Sequence, residues 1–170
     1  LWGDPAVNSG GGSWYPPAID EETGTIYWGV ANPAPFPGTP DAPNGSSRPG
    51  PNLYTDSVVA LDAATGKLRW YHQAIEHDIF DRDLVHTLIA RPAGGEPVVV
   101  ATGKGGVVVG LDRVSGEELW RTPVGHHEND ELTEIDGPTL VYPGSLGGVQ
   151  TPIAIADSTV YTCVMNAPTQ

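Results

Sequence analysis

The segment VVALDAATGKLRW, residues 58–70, returns as VVGLDRVSGEELW at residues 108–120. The two copies align without a gap and share a Leu-Asp pair, a hydroxyl residue, a glycine and a final tryptophan. This order predicts a strand, a tight turn and a returning strand, because the Asp side chain can accept hydrogen bonds in the turn and the Gly supplies a positive φ. A Trp at the same place in each copy predicts a large ring packed between neighbouring units.

The rest of the chain has the same β character. Its apolar runs are short and β-branched, turn residues bound them, and no window has the spacing of an amphipathic helix. The chain has 22 Gly and 17 Pro among its 170 residues, which is well above the usual share of these residues. The predicted strands lie near 15–20, 25–31, 56–62, 67–73, 84–90, 97–102, 106–112, 117–122, 138–142, 150–156 and 159–165.

Four strands in a unit of about 50 residues, with a periodic Trp, are typical of a β-propeller blade. We therefore predict an all-β β-propeller with one blade over residues 14–73, a second over 84–122 and the start of a third over 138–170. A weaker repeat supports the third unit, since SGGGSWYPPAI at 9–19 resembles SLGGVQTPIAI at 145–155. Propellers close with about four to eight blades. The chain is therefore expected to be an internal fragment holding about two and a half blades.

The charge of the chain restricts its partners. Eight Lys and Arg against 21 Asp and Glu give a net charge of −13. This excludes nucleic acid, whose phosphates need clustered cations, and it disfavours an anionic membrane surface. No apolar run is long enough to span a bilayer. The acidity suits a hard cation such as Ca²⁺, which takes oxygen ligands.

An acidic cluster interrupts the β pattern at EHDIFDRDLVH, residues 76–86. The residues alone leave three interpretations open, which are a solvated turn, a metal site and a catalytic base. A second unusual segment, residues 31–55, has seven prolines. Long loops in compact domains are commonly functional, and the prolines predict a stiff loop at one end of the propeller.

Four motifs along the chain carry a family resemblance. They are GGGSW (10–14), ANPAPF (31–36), HDIFDRD (77–83) and TGKGGVVVGLDRVSG (102–116), with a weaker fifth at PGSLGGVQTP (143–152). In this order they resemble the pyrroloquinoline quinone (PQQ)-dependent alcohol dehydrogenases. This eight-bladed quinoprotein family includes methanol dehydrogenase.

The resemblance implies roles for individual residues. Trp14 would form an aromatic floor under the flat quinone, and Asn32 would supply an amide oxygen to the metal. Asp81 would be the catalytic base that takes the alcohol proton while hydride goes to the quinone. Lys104 would contact the quinone oxygens and stabilise negative charge there. Gln150 would supply an amide near the cofactor.

The resemblance also bears on the metal. An aspartate at the position of Asp83 is typical of the lanthanide-dependent members, because a trivalent ion tolerates one more carboxylate. We therefore expect a lanthanide ion, with Ca²⁺ as the alternative. We expect Asp81 and Asp83 to face one side of an extended segment. Arg82 departs from the family pattern and would lower the pKa of Asp81 if the two side chains met.

The activity implied is oxidation of a small alcohol, with the metal polarising the quinone and a cytochrome-type acceptor removing the electrons. The family works in the periplasm or outside the cell, and the fragment alone is expected to be inactive. Two alternatives remain from the residues. One is a non-catalytic propeller that acts as a scaffold or binding module. The other is a cation-stabilised propeller that binds carbohydrate.

Overall fold

The computed structural model describes residues 2–170, and this part of the chain contains strands, turns and loops but no helix. The strands run in chain order as β1 (Ser9–Gly10), β2 (Ala18–Asp20), β3 (Thr25–Val30), β4 (Pro33–Ala34), β5 (Gly38–Thr39), β6 (Ala42–Pro43), β7 (Ser57–Asp62), β8 (Leu68–Gln73), β9 (His86–Ala90), β10 (Val98–Thr102), β11 (Val107–Asp112), β12 (Glu118–Pro123), β13 (Ala154–Ala156) and β14 (Thr159–Tyr161).

Two antiparallel four-stranded sheets form the body of the molecule. The first has the order β2-β3-β7-β8 and the second the order β9-β10-β11-β12. Sequence neighbours pair in each sheet, and the long loop 31–55 is inserted between β3 and β7. The sheets occupy most of the predicted blades 14–73 and 84–122, whose exact limits stay a prediction.

The repeated turns have the predicted chemistry. Asp62 Oδ1 accepts hydrogen bonds from the backbone N and the hydroxyl of Thr65, both at 2.8 Å. In the second copy, Asp112 Oδ1 accepts from the backbone N and hydroxyl of Ser115 at 2.7 and 3.0 Å. A glycine with positive φ closes each turn, at 70° for Gly66 in the first copy and 75° for its counterpart in the second. The same local bonds therefore set both hairpins.

The repeated tryptophan docks one sheet on the next, as predicted. Trp70 Nε1 donates to the carbonyl of Arg113, in the turn between β11 and β12 of the second sheet, at 3.2 Å. The Trp70 ring lies so close to Gly116 that a Cβ added there would be 2.5 Å from it. The equivalent Trp120 remains 38% exposed and borders a cleft with Ile155 and Val160 of the third unit.

The main core lies between the two sheets. It consists of Tyr27, Val58, Ala60, Leu84, Val99, Ala101, Val109 and Leu111. Burying each of the larger side chains in this set contributes about 1.5–3 kcal/mol to stability. This core fixes the angle between the sheets and so the positions of the loops at their ends.

The third unit is less regular than predicted. Only the hairpin β13-β14 forms a sheet there. The strand predicted at 138–142 was wrong, since Val141 and Tyr142 make only isolated bridges to Thr169 and Glu128. Prolines 138 and 143 bound that stretch, and a residue without an N–H cannot extend a ladder.

Candidate functional site

The acidic segment 76–83 is a loop and not an extended strand. His77, Asp81 and Asp83 have positive φ values of 51°, 66° and 37°. Asp78 is buried, and its two carboxylate oxygens accept the backbone N–H groups of Phe80 at 2.7 Å and Arg82 at 2.6 Å. Asp78 therefore organises the loop. The expectation of an extended backbone was wrong.

Asp81 and Asp83 nevertheless converge, and they do so on Lys104. The Lys104 ammonium lies 2.7 Å from Asp81 Oδ2 and 2.6 Å from Asp83 Oδ2. The contact with Asp83 Oδ2 is an ion pair to a buried oxygen. The Asp83 side chain is fully buried, the Lys104 side chain is 9% exposed and the Asp81 side chain is 18% exposed.

The glycine turn that carries Lys104 is fixed against the acidic loop. Lys104 N donates to Asp83 O at 3.1 Å, and Gly105 N donates to Arg82 O at 2.9 Å. A Cβ at Gly103 would lie 1.6 Å from Asp83 O. Only glycine permits so close an approach of two backbones. The motif TGKGG thus places its lysine on the acids.

Trp14 contacts the ammonium group of Lys104. The Lys104 ammonium stands 4.7 Å from the centre of the Trp14 ring, within the range of a cation–π contact. The ring is 57% exposed. Trp14 therefore presents a large open aromatic surface next to the charged groups.

Asn32 approaches the same acids from the proline-rich loop. Its backbone N donates to Asp83 Oδ1 at 2.9 Å, and its side-chain Nδ2 donates to Pro33 O at 3.0 Å. This arrangement leaves its Oδ1 without a hydrogen bond within residues 2–170. Asn32 is thus held against Asp83 through its backbone N–H, while its side-chain amide bonds Pro33.

Gln150 contacts Tyr15 and Gly147 and not the charged side chains of the cluster. Its backbone O accepts the Tyr15 hydroxyl at 3.1 Å, and its side-chain amide donates to Gly147 O at 3.4 Å. It is linked to the cluster through Tyr15, which follows Trp14 in the chain.

Arg82 does not meet Asp81. Its guanidinium stands 4.9 Å from the centre of the Phe80 ring and 3.5 Å from Asp130 O. Burial lowers the pKa of Arg82, while the charge of Asp78 opposes that effect. Arg82, the residue that departs from the family pattern, therefore contacts Phe80 and Asp130. The cation that contacts Asp81 is Lys104.

Burial and pairing act in opposite directions on the charged groups. Burial raises the pKa of Asp83, and the Lys104 ammonium only partly offsets this. Burial alone would lower the pKa of Lys104, but its contacts with Asp81 and Asp83 outweigh burial and raise it. Lys104 is therefore held as a cation, and Asp83 depends on a nearby cation to remain ionised.

Arg48 is a residue of the site region that the sequence analysis missed. It is fully buried, and its guanidinium donates to Phe36 O at 2.7 Å, Asn52 Oδ1 at 2.7 Å and Asp78 O at 2.6 Å. It thereby ties the proline-rich loop to the acidic loop. Its signal in the sequence is weak, a single Arg among loop residues that would ordinarily be solvated.

Asp56 is the second residue missed. It is fully buried, and neither carboxylate oxygen has a hydrogen-bond partner among the described residues. Burial raises the pKa of Asp56 well above its ordinary value, and the charges of Asp78 and Asp83 raise it further. Nothing in the sequence distinguishes this acid from a solvated one.

The side chains of the cluster suit the metal ion and the quinone that the family resemblance implies. Asn32 Oδ1 and the two carboxylates of Asp81 and Asp83 are hard oxygen donors, as Ca²⁺ and lanthanide ions require. Residues 2–170 contain no group of three or more His, Cys, Asp and Glu side chains placed to hold a metal ion. The set therefore fits such an ion and calls for further ligands. The exposed face of Trp14 fits a flat conjugated ring.

A wide cleft lies away from this cluster. It has a volume of about 620 Å³ and is lined by residues of the proline-rich loop, His77 and the segment near Glu134. The Lys104 cluster holds the convergent charges, whereas Glu134 is the one carboxylate among the residues that line the cleft.

The sequence model of the family described as "PQQ: Glucose/ethanol/alcohol dehydrogenase, beta-propeller domain" matches residues 2–134. The chain belongs to this PQQ family. The fold is accordingly an all-β partial β-propeller. In the solved quinohemoprotein alcohol dehydrogenase from Comamonas testosteroni, a region superposes with a TM-score of 0.77 at 25% identity, covering 94% of this chain and 26% of that one.

Curated relatives of this PQQ-family chain include enzymes for different substrates. The quinoprotein glucose dehydrogenase of Escherichia coli (strain K12) is 38% identical over 117 residues, which are 65% of this chain and 14% of the relative. The quinoprotein alcohol dehydrogenase PedH of Pseudomonas putida KT2440 is 35% identical over 119 residues, which are 68% of this chain and 19% of the relative. The chain thus spans less than a fifth of either relative's length. No helix within residues 2–170 is long and apolar enough to cross a membrane.

Proposed function

We propose that the protein containing this chain oxidises a small alcohol with PQQ and a bound metal ion. The observation that carries the proposal is the single cluster in which Trp14, Asp81, Asp83 and Lys104 meet. A scaffold has no physical need to gather a buried carboxylate, a partly exposed carboxylate and a lysine beside an open aromatic ring. PQQ, when bound, would supply the two-electron acceptor for the oxidation.

Burial assigns different tasks to the two acids. The Asp81 side chain is 18% exposed, so a substrate hydroxyl can reach it, whereas the Asp83 side chain is fully buried. We therefore assign Asp81 as the base that accepts the hydroxyl proton. Asp83 would act as a metal ligand with Asn32 Oδ1 and Asp81.

The proposed metal is a lanthanide ion, with Ca²⁺ as the alternative. Two carboxylates and one amide give the site a formal charge of −2 before Lys104 is counted, and a trivalent ion balances a second carboxylate better than a divalent ion. Burial raises the pKa of Asp83, so ionised Asp83 gains most from a strong neighbouring charge.

The cofactor would lie on the exposed face of Trp14, with Lys104 at its edge. The ammonium group of Lys104 would stabilise negative charge on the oxygens of the cofactor. Gln150 stays a proposed cofactor contact, and Tyr15 gives it a connection to Trp14.

The remaining assignments concern the whole protein. Relatives are named for glucose and for alcohol, and from these we propose a small alcohol as substrate. A cytochrome-type protein is the proposed electron acceptor, and the periplasm or the extracellular space is the proposed location.

The test uses the complete protein that contains this chain. Supplied with PQQ and either La³⁺ or Ca²⁺, it is expected to reduce an artificial dye with short alcohols. Asp81→Asn should lower kcat by about 10²–10⁴-fold while PQQ still binds. Asp136→Asn, at an exposed acid, is the matched control and should keep full activity. Absence of PQQ binding with either metal would refute the proposal.

A further inference from the structure

Lys104 occupies the one oxygen of Asp83 that has no hydrogen-bond partner among the described residues. Its Oδ1 accepts the backbone N–H of Asn32 at 2.9 Å. Its Oδ2 is buried and lies 2.6 Å from Lys104 Nζ. A cation that binds Asp83 through Oδ2 must therefore take the place of the ammonium there.

Lys104 can yield that place only by moving its side chain. Its backbone N is bonded to Asp83 O, and Gly148 lies so close that a Cβ there would be 2.0 Å from Lys104 O. The turn is thus fixed on both sides. The four-carbon side chain remains flexible, and an ammonium can change partners without the planar fit that a guanidinium needs.

Trp14 offers the displaced ammonium its next position. The Lys104 ammonium already lies 4.7 Å from the centre of the Trp14 ring. A cation over an aromatic face keeps part of its stabilisation when it leaves a carboxylate. Movement away from Asp83 therefore leads toward the surface on which the proposed cofactor lies.

We propose that Lys104 is a tethered counter-ion that balances Asp81 and Asp83 in the metal-free protein and is displaced from Asp83 by the incoming metal ion. The displaced ammonium then contacts the cofactor over Trp14. Metal and PQQ binding are thereby coupled, and each strengthens the other by the same factor. This inference rests on the proposed function, because it requires both groups to bind at this site.

The test is calorimetric titration of the complete, metal-stripped protein with Tb³⁺, without and with saturating PQQ. Wild type should bind Tb³⁺ more tightly when PQQ is present. Lys104→Met should bind Tb³⁺ roughly tenfold or more tightly than wild type without PQQ, since typical couplings between sites are about 5–150-fold. The further gain in Tb³⁺ affinity from PQQ should be smaller in Lys104→Met than in wild type. Lys67→Met is the matched control, because Lys67 is the only other lysine and is exposed.

Thermal unfolding supplies a second readout that does not require turnover. Without metal, Lys104→Met should have a lower Tm than wild type, because the buried Asp83 and the partly buried Asp81 lose their counter-ion. Tb³⁺ should raise the Tm of Lys104→Met more than it raises that of wild type. If Lys104→Met does not fold, Lys104→Gln carries the same expectations.

The outcomes separate the two proposals. If wild type binds Tb³⁺ and PQQ but Lys104→Met has the same Tb³⁺ affinity and the same response to PQQ, the counter-ion role is overturned and the proposed function stands. If wild type binds neither Tb³⁺ nor PQQ, the proposed function itself fails and the counter-ion role fails with it.

Discussion

We expect removal of the Asp83 side chain to distinguish activation by La³⁺ from activation by Ca²⁺. It is fully buried and provides one charge beyond the set that Asn32 and Asp81 would supply. Asp83→Ala should abolish activation by La³⁺, because a trivalent ion then loses a ligand charge, while activation by Ca²⁺ persists. The measurement is dye reduction by the complete protein at increasing concentrations of each metal.

Asp136→Ala serves as the control for this substitution, since Asp136 is exposed. Equal loss of activation with both metals would refute the assignment of Asp83 as the residue that selects the metal.

Asp56 makes the stability of the protein depend on pH. Its folded-state pKa is raised by burial and by neighbouring acids. Its stabilising contribution is therefore present below its ordinary pKa and is lost as pH rises through the raised folded pKa. Asp56→Asn should increase the free energy of unfolding at pH 8, by about 1–3 kcal/mol, and by less at pH 5. Thermal unfolding of the metal-free protein at the two pH values measures the difference.

Asp62 acts as a control, because its pKa is lowered and its ionisation should therefore stabilise the folded protein. Arg69 and Thr65 lower its pKa to about 2. Asp62→Asn should therefore destabilise the protein at neutral pH, and this effect should fade as pH falls toward 2. A gain in stability from Asp56→Asn that is the same at pH 5 and pH 8 would contradict the role given to its ionisation.

Local chemistry explains which parts of the site the sequence could predict. Trp14, Asn32, Asp81, Asp83 and Lys104 belong to motifs, and the fold brings their side chains together; their catalytic and ligand roles remain predictions. Arg48 and Asp56 escaped notice because only tertiary packing makes a loop Arg or Asp buried.

At the scale of the strands, each repeated unit was predictable because its turn is self-contained. The eight strands of the two four-stranded sheets lie within a few residues of their predicted positions. The acidic loop was not predictable in the same way. Its positive φ values depend on Asp78 accepting two backbone N–H groups, and this network forms only in the folded protein.

The contribution of Trp70 docking to stability can be measured by substituting two glycines, Gly66 and Gly116. Gly116 and Gly66 occupy equivalent turns with φ values of 75° and 70°, but only at Gly116 would a Cβ meet the Trp70 ring. Both Gly→Ala substitutions carry the same backbone strain. Gly116→Ala should cost about 1–3 kcal/mol more than Gly66→Ala, because the ring must shift.

The measurement is equilibrium unfolding in urea for both variants. If Gly66→Ala and Gly116→Ala lose the same stability, the Trp70 ring does not hold the two sheets together in the way described.

At the scale of the whole molecule, the chain exposes surfaces that neighbouring blades ordinarily cover. The Trp120 side of the second sheet is only partly covered, since the third unit contributes just the hairpin β13-β14. Exposed apolar side chains accompany it, including Trp120, Leu146, Tyr161 and Met165. Exposed apolar surface favours association in water.

The 170-residue chain produced alone should therefore self-associate and lack PQQ-dependent activity, whereas the complete protein should show neither defect. Sedimentation velocity at increasing concentration measures the association, and dye reduction measures the activity. Trp120→Gln should weaken the self-association, because it removes the largest ring from the uncovered face. Trp14→Gln, at a more exposed tryptophan that lies in the site cluster, should leave the association unchanged. A monodisperse monomer of the isolated chain would show that the third unit already closes the second sheet.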